Sequence, residues 1–235
     1  MHAEFDTRQK LAITARLIAR LGLDDATFTH ISARADGGFF LPRFGLLFHE
    51  ITPSNLLKVA YDGTILEGQE TIYNPTGYNS HIPVYQMRPE INAIFHLHTN
   101  YSIAVSTMEC GLLPLSQHAL HFYDAVSYHD YDSLILDVNI QSNRLLQDLK
   151  NNNILFMRSH GILICGKTIH ECYFYLHHLE RACKIQCLAL ASGQKLIMPD
   201  IDICHKAMLD LTSFEADIGR RDWEAAARFI NLASF

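Results

Sequence analysis

Three histidines of this chain have the residue type and spacing of a metal site. His96 and His98 stand two apart at the end of the apolar run 91–95, and His160 follows a second apolar run, 154–157. Side chains two apart on a strand point to the same face of the sheet, so the first two imidazoles can reach one ion. A third imidazole would complete a set of three nitrogens with one position left open, which is typical of a catalytic zinc ion.

The alternative for this pattern is an ordinary pair of core or surface histidines. The chain contains 14 histidines, so some pairs two apart arise by chance. The context favours the metal interpretation, because two imidazoles at the end of a buried strand would otherwise need other polar partners.

A second group of candidate residues lies between 111 and 132, a segment rich in His, Tyr and Asp with weak hydrophobic periodicity. Long irregular segments are often functional. The side chains here that could carry a proton are His118, His121, Tyr123, Asp124, His129, Asp130 and Tyr131. Each of them could equally be an ordinary hydrogen-bonded loop residue.

The elements that must position these residues follow from hydrophobic periodicity and capping signals. The predicted helices are 6–21, 75–85, 101–108, 141–150, 168–192 and 223–232. The predicted strands are 28–32, 39–41, 45–48, 57–61, 91–95, 125–128, 154–157 and 161–165. The early strands are too closely spaced for a doubly wound parallel sheet, so we expect an α/β fold with a mostly antiparallel sheet and helices on its faces.

Composition narrows the class of protein further. A chain of 235 residues with 49% apolar content fits a single globular domain. The net charge of −6, without a basic run, argues against nucleic acid as a partner, and no apolar stretch approaches membrane-spanning length. Cys172, Cys183 and Cys187 fall in phase with the apolar positions of one helix, which indicates reduced cysteines and a cytoplasmic protein.

Several separated motifs carry a family resemblance. The stretch 92–100, which contains His96-Leu-His98, resembles the His-x-His element of the class II aldolase/adducin family. Residues 158–163 resemble that family's Asn-His-Gly element with Ser159 in place of Asn, and 29–34 resemble its N-terminal Asn-His-Ile-Ser-x-Arg with Thr29 in place of Asn. The resemblance covers about residues 6–195. We therefore expect residues 1–235 to form a single domain, with 196–235 as a helical C-terminal extension.

The head domain of adducin and its bacterial relatives are the nearer match, on the residues 44–52, 111–117 and 126–131. The resemblance implies a three-layer α/β/α sandwich and a four-fold ring with active sites between neighbouring subunits. It also implies that His96, His98 and His160 hold zinc.

One departure from the family concerns the proton carrier. Family enzymes that act on sugar phosphates have a Ser-Ser-Glu element, whose Glu moves the proton, where this chain has Pro75, Thr76 and Gly77. The resemblance therefore leaves Thr76, Gly77 and Gln117 as candidate substrate-binding positions. Two candidates for the missing proton carrier remain. His121 lies in a region from which family enzymes often supply a donor to the next subunit, and His81 follows Gly77 on the same helix.

Two functions follow as hypotheses. The first is a zinc-dependent enzyme with carbon–carbon lyase or epimerase chemistry on a small hydroxy-carbonyl compound, through a metal-stabilised enediolate. The second is a catalytically silent oligomeric binding module in the manner of adducin heads. Both hypotheses imply a homotetramer, and the enzyme would have its active sites between subunits. Neither hypothesis involves nucleic acid or a membrane. His30 is interpreted as a structural histidine.

Overall fold

The computed structural model describes residues 2–68, 72–137 and 140–230. In these ranges a single sheet has the strand order β4-β3-β2-β1-β5-β8-β7-β6. The strands are β1 His30–Ala35, β2 Gly38–Pro42, β3 Leu56–Ala60, β4 Ile65–Glu67, β5 Ala93–Leu97, β6 Val126–His129, β7 Ile154–Met157 and β8 Gly161–Gly166. All neighbouring pairs are antiparallel except β6 with β7, so the predicted mostly antiparallel sheet is confirmed.

The helices lie on both faces of this sheet. They are α1 His2–Arg20, α2 Pro75–Met87, α3 Asn100–Ser106, α4 Gln117–Leu120, α5 Gln141–Leu149, α6 Ile169–Ala191, α7 Ile201–Phe214 and α8 Arg220–Ala227. Among the described helices, none combines the length and apolar composition needed to cross a membrane.

Two hydrophobic cores, one on each face, make the fold a three-layer sandwich. Alternate residues of a strand point to opposite faces, and β8 shows this directly. Ile162 and Ile164 pack in the core that contains α1, α3 and α6, whereas Leu163 and Cys165 pack in the core that contains α2 and α5. The predicted α/β/α architecture is therefore confirmed.

Some predicted elements were wrong or missed. The residues predicted as a strand at 45–48 form a turn, in which Gly45 has φ of +92° and a 3-10 turn begins at Phe48. Helix α1 begins at His2 and not at the predicted residue 6, so Asp6 lies inside the helix, where it pairs with Lys10. Strand β4 was missed because it has three residues, and α7 because it leaves much of its apolar surface exposed.

Strand pairing brings the chemistry-bearing residues together. The register of β1 with β5 places His30 opposite His96, and the register of β5 with β8 places Leu97 opposite Ile162. His160 lies in the tight turn between β7 and β8, so this pairing carries it to the end of β5. Gly161 is required there, because a Cβ at that position would collide with the carbonyl oxygen of Leu97. The site therefore forms where the adjacent strands β1, β5 and β8 begin or end, on the same side of the sheet.

Candidate metal centre

The structure brings together the three histidines that the sequence singled out. The ring centroids of His96 and His98 are 4.8 Å apart, and His160 lies 4.8 Å from the first and 4.9 Å from the second. One ring nitrogen of each histidine lies within 4.8 Å of the other two. A small adjustment of the rings would let all three nitrogens contact one ion.

The partners of the far ring nitrogens fix the tautomers of the first two histidines. Nδ1 of His96 lies 3.0 Å from the carbonyl oxygen of Ile162, and Nδ1 of His98 lies 3.0 Å from Oδ2 of Asp25. A carbonyl and a carboxylate can only accept, so each neutral ring carries its hydrogen on Nδ1. Both Nε2 atoms then present lone pairs to the same point.

The two Nε2 atoms lie 3.0 Å from each other. Two lone pairs facing each other without a hydrogen between them repel, and a cation bound to both removes that repulsion. Outer partners that set ring orientation and tautomer are typical of histidines that bind metal. Three imidazole donors also suit zinc and related transition metals. The residues present therefore fit a divalent metal ion.

Protonation favours the same conclusion. Burial holds the pKa of His96 well below its ordinary value. Burial, reinforced by the nearby His98, lowers the pKa of His160 to about 4. Neutral imidazoles are the form that binds a metal, so these rings need not lose a proton at neutral pH.

A small cavity opens beside the three histidines. It has a volume of about 40 Å³ and is lined by Phe28, His30, Thr76, Ser80, Leu134 and Ile135 in addition to the three histidines. On the other side, His98 and His160 border an open depression of about 380 Å³ that includes Asp24 and Asp25. A bound metal would therefore be reachable from two sides.

Gly77 lies behind the ring of His30. A Cβ at position 77 would stand 3.0 Å from Cγ and 3.1 Å from Cδ2 of His30, which is tighter than ordinary packing. The imidazole of His30 thus occupies the space into which a longer side chain at 77 would extend. The sequence predicts a structural role for His30, and in the structure its side chain lines the cavity wall. The available signal was the period of two that puts His30 and Ser32 on one face of β1.

The other candidates lie at different distances from the triad. Thr76 lines the cavity, but its N–H and its hydroxyl both donate to Oδ1 of Asn74. His81 does not line the cavity; it is completely buried behind His30, and its Nε2 is 3.0 Å from Nδ1 of His30. Burial keeps the pKa of both histidines well below the ordinary value.

The last residues of the segment 111–132 approach the triad, and His129 and Asp132 lie close enough to His160 to influence its pKa. The ring of Tyr131 lies 6.1 Å from that of His160. His121 packs instead against Phe174 and His178 of α6, and Gln117 is exposed at the start of α4. Neither lines the cavity, so their proposed roles depend on a neighbouring subunit.

Comparison with known proteins agrees with the fold and the motifs. The family model for the class II aldolase and adducin N-terminal domain matches residues 9–187. The structure of an aldolase II superfamily protein from Pseudomonas syringae is 37% identical, covers 96% of this chain and 92% of its own, and has a TM-score of 0.88.

Two further relatives are an aldolase and an adducin. An L-fuculose 1-phosphate aldolase from Glaciozyma antarctica is 26% identical with a TM-score of 0.84, covering 97% of this chain and 89% of that one. Mouse alpha-adducin is 38% identical over 195 residues, which cover 79% of this chain and 26% of the adducin. The relatives thus include both an enzyme and an adducin.

Proposed function

Because the chain belongs to the class II aldolase and adducin family, we propose that it is a metal-dependent enzyme. The proposed reaction is lyase-type cleavage or epimerisation of a small hydroxy-carbonyl compound. The observation that carries the proposal is the pair of Nε2 lone pairs, set by Ile162 and Asp25, that converge at 3.0 Å beside a third imidazole.

His96, His98 and His160 would hold the ion, for which zinc is the best fit to three neutral imidazoles. Such an ion polarises a carbonyl oxygen and stabilises negative charge that develops on it. The chain's own residues supply the rest. His96 and His98 are kept in the binding tautomer, while Phe28, Leu134 and Ile135 give the cavity apolar walls.

The cavity favours a small substrate without a phosphate group. None of the described residues that line it is Lys or Arg. At the start of α2, Pro75 has no N–H, and the N–H of Thr76 is already bonded to Asn74. A phosphate would therefore find little hydrogen bonding there, and we expect fuculose 1-phosphate to turn over poorly.

Metal titration of chelator-treated protein tests the first step. Calorimetry at neutral pH should give about one zinc ion per chain. His98→Ala should remove most of this binding, whereas His49→Ala, which changes an exposed histidine away from the triad, should keep it. A wild-type protein that binds no divalent metal would overturn the proposal. Small hydroxyaldehydes and hydroxy acids are then screened for cleavage and epimerisation.

The second candidate is a binding module like the adducin head. The observation that favours it is the lack of any carboxylate among the described residues that line the cavity, which leaves no acidic proton carrier at Gly77. Zinc binding at full stoichiometry without turnover of any screened compound would favour this candidate.

We also propose that the chain is one domain with α7 and α8 as its helical extension. Trp223 of α8 is buried, and its Nε1 donates to Oγ1 of Thr14 on α1 at 2.8 Å. Limited proteolysis that released the extension as a separate unit, without destabilising the remainder, would contradict this division.

A further inference from the structure

A buried chain of hydrogen bonds runs from the core to the cavity. Oη of Tyr85 lies 2.8 Å from Oγ of Ser32, which lies 2.7 Å from Nδ1 of His81. Nε2 of His81 lies 3.0 Å from Nδ1 of His30. All four residues are at most 5% exposed, so water cannot readily replace these contacts.

The hydroxyl group of Tyr85, at the inner end of this chain of hydrogen bonds, determines the direction in which each hydrogen is donated. Among the described residues, Oη of Tyr85 makes one hydrogen bond, and its partner is Oγ of Ser32. Burial raises the pKa of Tyr85 well above its usual value, so the phenol keeps its proton. An unpaired buried hydroxyl hydrogen costs about 1–3 kcal/mol, and this hydrogen therefore points to Ser32.

Each later hydrogen follows from the one before it. Ser32 accepts from Tyr85, and its single hydrogen goes to Nδ1 of His81. The neutral ring of His81 then carries its hydrogen on Nε2 and donates it to Nδ1 of His30. The neutral ring of His30 must carry its own hydrogen on Nε2. The reverse direction would leave the hydroxyl hydrogen of Tyr85 without an acceptor.

The last donor is open to the cavity. Nε2 of His30 makes no hydrogen bond among the described residues and is not one of the buried unpaired atoms. His30 lines the cavity beside the triad, and its ring centroid is 4.8 Å from that of His96. A substrate atom in the cavity would therefore meet an N–H donor next to the metal position.

We propose that His30 is the residue that donates a hydrogen bond to an oxygen atom of the substrate, and that Tyr85, Ser32 and His81 hold it in the donor tautomer. This inference rests on the proposed function, since it needs a substrate beside the metal. It also defines the substrate class. The compound must present an acceptor oxygen, such as a carbonyl, hydroxyl or carboxylate oxygen, to the Nε2 side of His30.

The proposal changes the meaning of Gly77. A Glu at that position would place an acceptor, or a proton carrier, beside the metal. Here Gly77 makes room for the ring of His30, which presents a neutral donor. Preorganised donors of this kind stabilise charge that develops on a substrate oxygen. The wall of the site thus retains a polar function although the carboxylate is missing.

Nitrogen NMR of histidine-labelled protein tests the tautomer directly, because protonated and unprotonated ring nitrogens resonate in different regions. The wild type should show hydrogen on Nε2 of both His30 and His81. Tyr85→Phe removes the donor that sets the direction, so both rings should become mixtures of tautomers. Tyr128→Phe removes the same atom from a tyrosine that bonds the N–H of Leu112, and it should change neither ring. Hydrogen on Nδ1 of His30 in the wild type would overturn the proposal.

Binding of acetohydroxamate to the zinc-loaded protein tests the contact. His30→Phe should weaken this probe roughly 10-fold to 100-fold, the usual loss for a hydrogen bond to a charged group, while zinc content stays at wild-type level. His30→Gln, which keeps an N–H donor, should recover part of the affinity. Equal affinity of wild type and His30→Phe would overturn the inference. Wild-type protein that binds no zinc would instead overturn the proposed function, and the NMR result would still decide the tautomer.

Discussion

At the scale of single residues, the candidate centre depends on side chains that do not contact the metal position. Asp25 holds the ring of His98 through Nδ1 at 3.0 Å, and its own side chain is 51% exposed. A carboxylate in this position orients the ring and makes the opposite nitrogen a better ligand. Replacing Asp25 should therefore change the affinity of the site for metal, which can be measured.

We predict that Asp25→Ala weakens zinc binding about 10-fold to 100-fold, which is typical for loss of such an outer partner. The matched control is Asp24→Ala, which removes the same charge from the same depression without touching His98. Calorimetry measures both. Equal losses in the two variants would mean that only the general negative charge matters.

A second prediction at this scale concerns the contact between Gly77 and His30. Alanine normally stabilises a helix by about 1 kcal/mol relative to glycine. Gly77→Ala should instead destabilise the fold by about 1–3 kcal/mol, because its Cβ would press on the ring of His30. Urea unfolding measures the effect. In the His30→Ala background the cost should largely disappear, and a purely additive double mutant would refute the explanation.

At the scale of elements, the segment before α5 forms the outer wall of the cavity. Ile135 is buried, whereas Leu134 is 53% exposed. The side chain of Asn79 on α2 holds this segment by donating to the carbonyl oxygens of Ile135 at 3.0 Å and Leu136 at 3.2 Å. One amide thus fixes the wall to the helix that carries Thr76.

We predict that Asn79→Ala frees this wall, because two carbonyl groups lose their donor. Hydrogen exchange should become faster at 131–137 while exchange in β5 and β8 stays unchanged. Asn151→Ala, at an exposed position, serves as the control. Unchanged protection of 131–137 in the Asn79 variant would show that the segment is held by its apolar contacts alone.

At the scale of the whole molecule, buried imidazoles should make stability depend on pH. Burial lowers the pKa of His81 well below its ordinary value. Burial, reinforced by repulsion from neighbouring histidines, lowers the pKa of His178 to about 3. The unfolded chain therefore binds more protons than the folded chain below pH 6.5. Stability is then complete above that pH and falls as the pH decreases toward the folded values.

We predict that chelator-treated protein loses stability steadily from pH 6.5 to pH 4.5, as measured by urea unfolding. His178→Gln removes one of the groups responsible and should make the decline less steep. His49→Ala changes an exposed histidine and should leave the slope unaltered. A stability that stays constant over this range would contradict the argument.

The exposed apolar surface also belongs to this scale. Helix α7 exposes Ile201 by 65%, Leu209 by 61% and Phe214 by 76%. Large exposed apolar patches commonly mark interaction surfaces. Together with the family resemblance, this predicts a symmetric homo-oligomer, for which a tetramer is expected. Light scattering across micromolar concentrations measures the mass, and a monomer mass throughout would contradict the prediction.

The sequence by itself determined the features that depend on local pattern. Alternation along a strand is local, so it placed His96 and His98 on one face. Periodicity located seven of the eight strands in the described part of the chain, and most of its helices approximately. The residue types and their spacing singled out His160 as the third histidine. The motifs around these residues pointed to the family and with it to the layered fold. The strand predicted at 45–48 failed because the conformation of Gly45 bends the chain there.

Only the tertiary structure decided which distant residues meet at the site. His30 reaches His96 through the pairing of β1 with β5, and Asp25 reaches His98 across 73 residues of sequence. The contact of Gly77 with His30 depends on how α2 packs against the sheet. No local pattern encodes these distances, since they follow from strand register and helix packing. The three histidines that cluster could therefore be predicted from the sequence, whereas the partners that set the tautomers of His96 and His98 could not.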